Sequence, residues 1–243
     1  NNTTIQVNLL DEKHRPTETN VNMTFYDTYS GALRYNFVHT LNAKGLPDTL
    51  LIDPLGTYDI VVNTIPPVRK DSNRIVAGKH NTIGIDCPQG DLFLKFDGTS
   101  DYKNLQCIVR KKGDSKTLHV QAFNTTTRYL TGDYDLEVLC LPRMLINDVN
   151  IAQSKTTTVQ IPNPGMATFQ TVSAGYGSVY QEKDNKLNWV CNLNENNTHE
   201  SILLQPGNYR VVFRPKISKE AIYTVEKTFR ITSGSGITVN INK

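Results

Sequence analysis

The sequence predicts an all-β chain of three tandem small antiparallel β-sandwich domains in an elongated array. Three observations carry this. One strand motif returns three times at a nearly fixed step, a second landmark keeps the same register, and no stretch of a dozen residues shows a helical period. The first motif, Leu55-Gly56-Thr57-Tyr58-Asp59-Ile60-Val61-Val62, returns as Thr131-Gly132-Asp133-Tyr134-Asp135-Leu136-Glu137-Val138 and as Pro206-Gly207-Asn208-Tyr209-Arg210-Val211-Val212-Phe213, its glycines 76 and 75 residues apart. The second, Asn81-Thr82-Ile83-Gly84-Ile85, matches Thr157-Thr158-Val159-Gln160-Ile161 and a Thr238-Val239-Asn240-Ile241 segment near the end. The units so defined span 1–85, 86–161 and 162–243, with about seven strands expected in each.

Within the units, Tyr58/Ile60/Val62, Tyr134/Leu136/Val138 and Tyr209/Val211/Phe213 alternate with mostly polar neighbours, as half-buried strands do. Val21/Met23/Phe25, Leu92/Leu94/Phe96 and Leu187/Trp189/Cys191 do the same and are expected to face the cores. Turn residues punctuate them, as at Tyr29-Ser30-Gly31, Asn163-Pro164-Gly165 and Ser233-Gly234-Ser235-Gly236. The paired corners Gly56/Tyr58, Gly132/Tyr134 and Gly207/Tyr209 are the candidate sites, and their reading is structural. Glycine permits the turn, and the tyrosine enters the next strand with its ring on the core and its hydroxyl reaching back to an upstream backbone group. The joins, Asp86-Cys87-Pro88 and Pro162-Asn163-Pro164, are short and contain proline, which predicts a semi-rigid rod.

Composition excludes several functions. With 26 Lys plus Arg against 23 Asp plus Glu, the net charge of +3 gives no footprint for a nucleic acid, and the 38% hydrophobic content includes no apolar run long enough for a transmembrane helix. The chain starts without Met, so it reads as a piece of a longer protein. The four cysteines, Cys87, Cys107, Cys140 and Cys191, form no CxxC pair; they read as free core thiols, with Cys107–Cys140 the one disulfide worth testing.

No catalytic motif is present, the five histidines are scattered, and neither an enzyme nor a cofactor or resident metal is expected. The loop Asp97-Gly98-Thr99-Ser100-Asp101 has too few oxygen ligands for Ca²⁺ and reads as a solvated turn, and Arg110-Lys111-Lys112 reads as a hairpin tip whose lysines protect a sheet edge. Asn1, Asn2, Asn22, Asn124 and Asn196 begin Asn-x-Ser/Thr sequons, as chance alone gives in an Asn- and Thr-rich chain.

The runs Thr64-Ile65-Pro66-Pro67-Val68, Ala77-Gly78-Lys79-His80-Asn81-Thr82-Ile83, Asp86-Cys87-Pro88-Gln89-Gly90 and Asp133 to Pro142 together resemble the C-terminal β-repeats of Bacteroidetes-type von Willebrand factor A domain proteins, the calcium-activated chloride channel homologue-like group. The Gly-x-Tyr strand by itself is similar to carboxypeptidase-regulatory, PEGA and transthyretin-like sandwiches. The resemblance implies an exported location, periplasmic or at the cell surface, and a non-catalytic accessory role with an envelope protein as partner. The metal-holding Asp-x-Ser-x-Ser motif of the A domain does not occur here, so no metal site is carried over. Asp48-Thr49-Leu50 fits the pattern that such bacteria O-glycosylate. The expected function is therefore a spacer or docking region of a larger envelope protein. The alternative is a carbohydrate- or peptidoglycan-binding module using Tyr26, Tyr29, Tyr35, Tyr176 and Tyr180 as stacking platforms.

Overall fold

A computed structural model describes residues 2–218, 220 and 223–242. Among them every regular element is a strand. The first seven, β1 (Thr4–Leu10), β2 (Val21–Asp27), β3 (Leu33–His39), β4 (Leu50–Leu51), β5 (Thr57–Val62), β6 (Val68–Arg74) and β7 (His80–Asp86), form two sheets ordered β4-β1-β7 and β3-β2-β5-β6. The next seven, β8 (Gln89–Phe96), β9 (Gln106–Lys111), β10 (His119–Ala122), β11 (Thr125–Leu130), β12 (Gly132–Val138), β13 (Met144–Ile151) and β14 (Thr156–Ile161), repeat that topology as β11-β8-β14 and β10-β9-β12-β13. The last seven repeat it again as β18-β15-β21 and β17-β16-β19-β20. They are β15 (Gly165–Gln170), β16 (Gly175–Lys183), β17 (Lys186–Asn192), β18 (His199–Leu204), β19 (Gly207–Pro215), β20 (Val225–Ile231) and β21 (Gly236–Asn240). The protein is thus three β-sandwiches in tandem, here called units 1 to 3.

Each sandwich closes over its own core. In unit 1 the alternating Ile5, Val7 and Leu9 of β1 pack across the interior from Met23, Phe25, Tyr58 and Ile60, all buried. Leu92/Leu94 facing Cys107/Val109 and Ala167/Phe169 facing Val179/Val211 are the corresponding layers of units 2 and 3. Burying side chains of this size stabilises each core by about 1.5–3 kcal/mol apiece, which small sandwiches need.

Pairing is antiparallel except for one pair per unit. The first and last strands run parallel, Thr4–Leu10 beside His80–Asp86, with β8 beside β14 and β15 beside β21. This places the end of the first strand and the end of the last strand at one end of the sandwich, here called the trailing end. The connections from β1 to β2 and from β5 to β6 emerge there too.

Two expectations are corrected. Leu187 and Trp189 do not face the core: they are 50% and 60% exposed, while Val190 is buried. The cause is a bulge, because Val179 opposes Cys191 but Tyr180 opposes Trp189, and the extra residue moves the preceding side chains to the other face. Tyr35 is not an exposed platform; it packs against the unit 1 core, and its hydroxyl accepts the Asp53 N–H at 3.0 Å. The four cysteines are free thiols, three of them buried. Burial pushes Cys87 and Cys107 up to about 12 and Cys140 and Cys191 up to about 11.

Candidate functional site: the tyrosine corners and the joints between sandwiches

At the corners, the Tyr58 hydroxyl donates to the Asp53 carbonyl at 2.8 Å, Tyr134 to Leu130 at 2.5 Å and Tyr209 to Gln205 at 2.5 Å. All three rings are buried, and burial pushes Tyr134 up to about 12 and raises Tyr58 and Tyr209 further. The glycines serve for two different reasons. Gly132 and Gly207 hold φ of +152° and +157°, a region side chains disfavour, whereas at Gly56 a Cβ would collide with the Tyr58 ring.

In units 2 and 3 the corner does a second job. The Leu130 N–H donates to the Ile65 carbonyl of unit 1, and the Gln205 N–H donates to the Leu141 carbonyl of unit 2, each at 2.8 Å. Ile65 in turn packs against the unit 2 core and Leu130 against the unit 1 core, while Leu141 packs against the unit 3 core. One residue therefore ties its own tyrosine through its carbonyl and the preceding sandwich through its N–H. Both anchors precede a proline, at Ile65-Pro66 and Leu141-Pro142, and both peptide bonds are cis.

A polar side chain completes each joint. At the first, Glu18 is 2% exposed and takes Arg128 at 2.9 Å and the Gln89 amide at 3.3 Å, both from unit 2. Arg128 also donates to the Thr19 carbonyl at 2.9 Å, and the Glu12 N–H donates to Gln153 of unit 2 at 2.7 Å. Burial raises the Glu18 carboxyl above the usual carboxylate range, with Arg128 pulling it the other way. The loop that presents it is knotted around Asp11, whose carboxylate accepts the N–H groups of Lys13 and Arg15 and the Thr17 hydroxyl. At the second joint the buried Gln205 amide donates to the Tyr102 hydroxyl at 2.9 Å and to the Pro162 carbonyl at 3.2 Å. The chemistry passes from an ion pair to a neutral amide–phenol pair, the partner standing four residues before the corner glycine at the first joint and two before it at the second.

Sequence reasoning assigned no role to Asp59 and Asp135. Each caps a bulge in the facing strand: Asp59 accepts the Ser72 N–H at 2.8 Å and Asp135 the Asp148 N–H at 3.1 Å, and both bulge residues hold positive φ. Hydrogen bonding holds both carboxyls below the ordinary range, mainly from Ser72 to Asp59 and from Gly113 to Asp135. Of the remaining candidates, Arg110 pairs with Glu137 and Lys112 with Asp148, so the basic run is largely neutralised on its own sheet. The Asp97–Asp101 loop is bound to the second join through the Asn163 amide on the Asp97 carbonyl. Among the described residues no group of three His, Cys, Asp or Glu side chains is placed to hold a metal ion. No helix among them is long and apolar enough to cross a membrane.

No family model matches the sequence, and no curated protein is similar to it at a significant level. Among solved structures, it is similar to the Bacillus anthracis TIE protein at TM-score 0.26 and 15% identity, covering 99% of this chain and 50% of that one, so the chain spans half that protein's length. The minor pilin GBS52 of Streptococcus agalactiae gives TM-score 0.28 and 16% identity over 65% of this chain and 93% of that one. The pilus adhesin SpaC of Lactobacillus rhamnosus GG gives 0.25 and 10% over 100% and 42%.

Proposed function

We propose that this chain is a non-catalytic spacer and docking region of a larger exported cell-envelope protein, holding the parts it joins at a set separation. The observation that supports it is the repetition of one joint. At both, a backbone hydrogen bond, an aliphatic anchor in the neighbour's core and a buried polar pair fix one sandwich on the next. Three separate links across each join restrict hinge motion in a way that a flexible linker does not. The exported location is taken from the sequence resemblance described above, and the partner is an envelope protein.

Small-angle scattering tests the spacer reading. A compact globule of this length has a radius of gyration of about 18 Å, whereas three sandwiches in line give about 27 Å. A value near the lower figure, or a profile requiring freely jointed units, refutes the reading.

One feature favours a second reading, a glycan or peptidoglycan binder. On the β17-β16-β19-β20 sheet of unit 3, Tyr176, Ser178, Tyr180 and Asn192 line a cleft of about 380 Å³. The exposed Trp189, opposite Tyr180, donates its indole N–H to Asn192 at 2.9 Å. Trp189 is the single tryptophan, so titration with peptidoglycan fragments and oligosaccharides while following its fluorescence decides this reading. An unchanged spectrum removes it.

A further inference from the structure

Each inner joint buries the trailing end of one sandwich under the leading end of the next, and unit 3 has a trailing end built from the corresponding positions. Val62, Val138 and Phe213 each stand six residues after their corner glycine and pair with Met23, Cys107 and Gly177. Five residues before those partners stand Glu18, Tyr102 and Val172. Nine and ten residues after the glycines stand Ile65-Pro66, Leu141-Pro142 and Lys216-Ile217. In units 1 and 2 Glu18, Ile65, Tyr102 and Leu141 meet the next sandwich. In unit 3 Val172 is 82% exposed and Ile217 84%, while Lys216, at the anchor position, turns its ammonium to Asn196 and Glu195 of its own unit. Val172 lines a cleft of about 530 Å³ together with Phe213, Pro215, Tyr223, Val225 and Ile241. The end of an array that stops is polar, and a contiguous exposed apolar patch marks a surface made to be covered.

We propose that the trailing end of unit 3 is a third joint face, and that its occupant is the leading end of a further β-sandwich of this repeat, joined in cis after Asn242. The inner joints say why the occupant is such a unit and not a second copy of unit 1. The residue two before the corner glycine must donate its N–H to the anchor carbonyl, as Leu130 and Gln205 do. In unit 1 that residue is Pro54, which has no N–H. Chain exit and re-entry are also adjacent at both inner joints, from Ile85 to Gln89 and from Ile161 to Gly165. Val172 further specifies the occupant. Where Glu18 receives Arg128 and Tyr102 receives Gln205, an apolar Val172 requires an apolar side chain opposite, because an unmatched polar group buried there is costly. This inference stands on the joints and does not depend on what the array carries.

The test extends the chain at Ile241 with a second copy of residues 162–243 in which Gln205→Leu supplies the apolar partner, and places a thiol reporter at Ile217→Cys in the original unit. Reaction with a disulfide reagent reports that thiol, since the native cysteines are largely enclosed. The reporter is expected to react at least about tenfold more slowly in the extended chain than in the 243-residue chain, as a covered site does. Val172→Asp in the extended chain is expected to restore fast reaction. Equal rates with the added unit folded overturn the proposal. So does slowing that depends on protein concentration in the unextended chain, which would assign the face to a second copy. An independent arm needs no added unit: Val172→Asp and Ile217→Asp in the 243-residue chain are expected to leave the urea midpoint of unit 3 unchanged. A lowered midpoint would show that these side chains serve unit 3's own core, and would also overturn the proposal.

Discussion

Replacing Tyr209 by Phe removes a single oxygen at the point where corner and joint meet. The ring is fully buried and fits either residue, so the packing is unchanged and the hydrogen bond alone is lost. Its acceptor, the carbonyl of Gln205, belongs to a residue only 4% exposed, so water does not readily replace the donor. Leaving a buried acceptor without its donor costs about 1–3 kcal/mol, here about 2. For a sandwich of this size each kcal/mol lowers the midpoint by about 4–8 °C, giving a loss of about 8–16 °C in unit 3. Urea or thermal unfolding followed through Trp189, the only tryptophan, reads unit 3 directly. Tyr58→Phe should cost less, about 1 kcal/mol, because the Tyr58 bond to Asp53 lies nearer the surface. Tyr29→Phe, at a side chain 87% exposed, should change nothing. A Tyr209→Phe midpoint equal to that of the parent would refute the account of the corner.

Arg128→Ala leaves the buried Glu18 without its cation; because the Arg128 side chain is 39% exposed, the loss should be about 1–2 kcal/mol, well short of that for a fully enclosed pair, and NMR relaxation should show units 1 and 2 tumbling more independently. Glu18 holds its proton more tightly folded than unfolded, so its contribution weakens as pH rises above the ordinary value of 4.5. Glu18→Gln should therefore gain stability relative to the parent between pH 4.5 and 7 in parallel melts. Asp59 and Asp135 shift the opposite way, stabilising the fold above the ordinary value of 3.8 and ceasing to do so as pH falls through their lower folded values; acid titration of Asp59→Asn should show a shallower loss below pH 3.8. The four thiols should resist labelling until the chain unfolds, and stability should fall as pH rises from 9 toward 12, since unfolded thiols ionise first.

The repeat was legible because its landmarks are local. A glycine, a tyrosine two residues on and an alternating apolar run fit within eight residues, and three copies confirm one another. The face of β17 was not legible, because a bulge is a property of the pair of strands: nothing in Leu187-Asn188-Trp189-Val190-Cys191 alone says that one residue will be left over against β16. The joint residues were hidden by distance. Glu18 and Arg128 are 110 positions apart, Tyr102 and Gln205 103, and neither pair shares a residue type with the other. Asp59 and Asp135 did leave a signal, an aspartate after the corner tyrosine in two copies, but Arg210 in the third breaks it, and there the facing strand runs without a shift.

The parallel pairing of each unit's first and last strands also sets how the protein responds to being pulled. Tension along the chain enters a sandwich at the start of its first strand and leaves at the end of its last, so the two neighbours are drawn past each other lengthwise. Every rung from Thr4 beside His80 to Leu10 beside Asp86 then carries load at once, instead of opening one after another as in a peeled hairpin. The same geometry recurs in β8 with β14 and β15 with β21, so three such clamps stand in series between one end of the chain and the other.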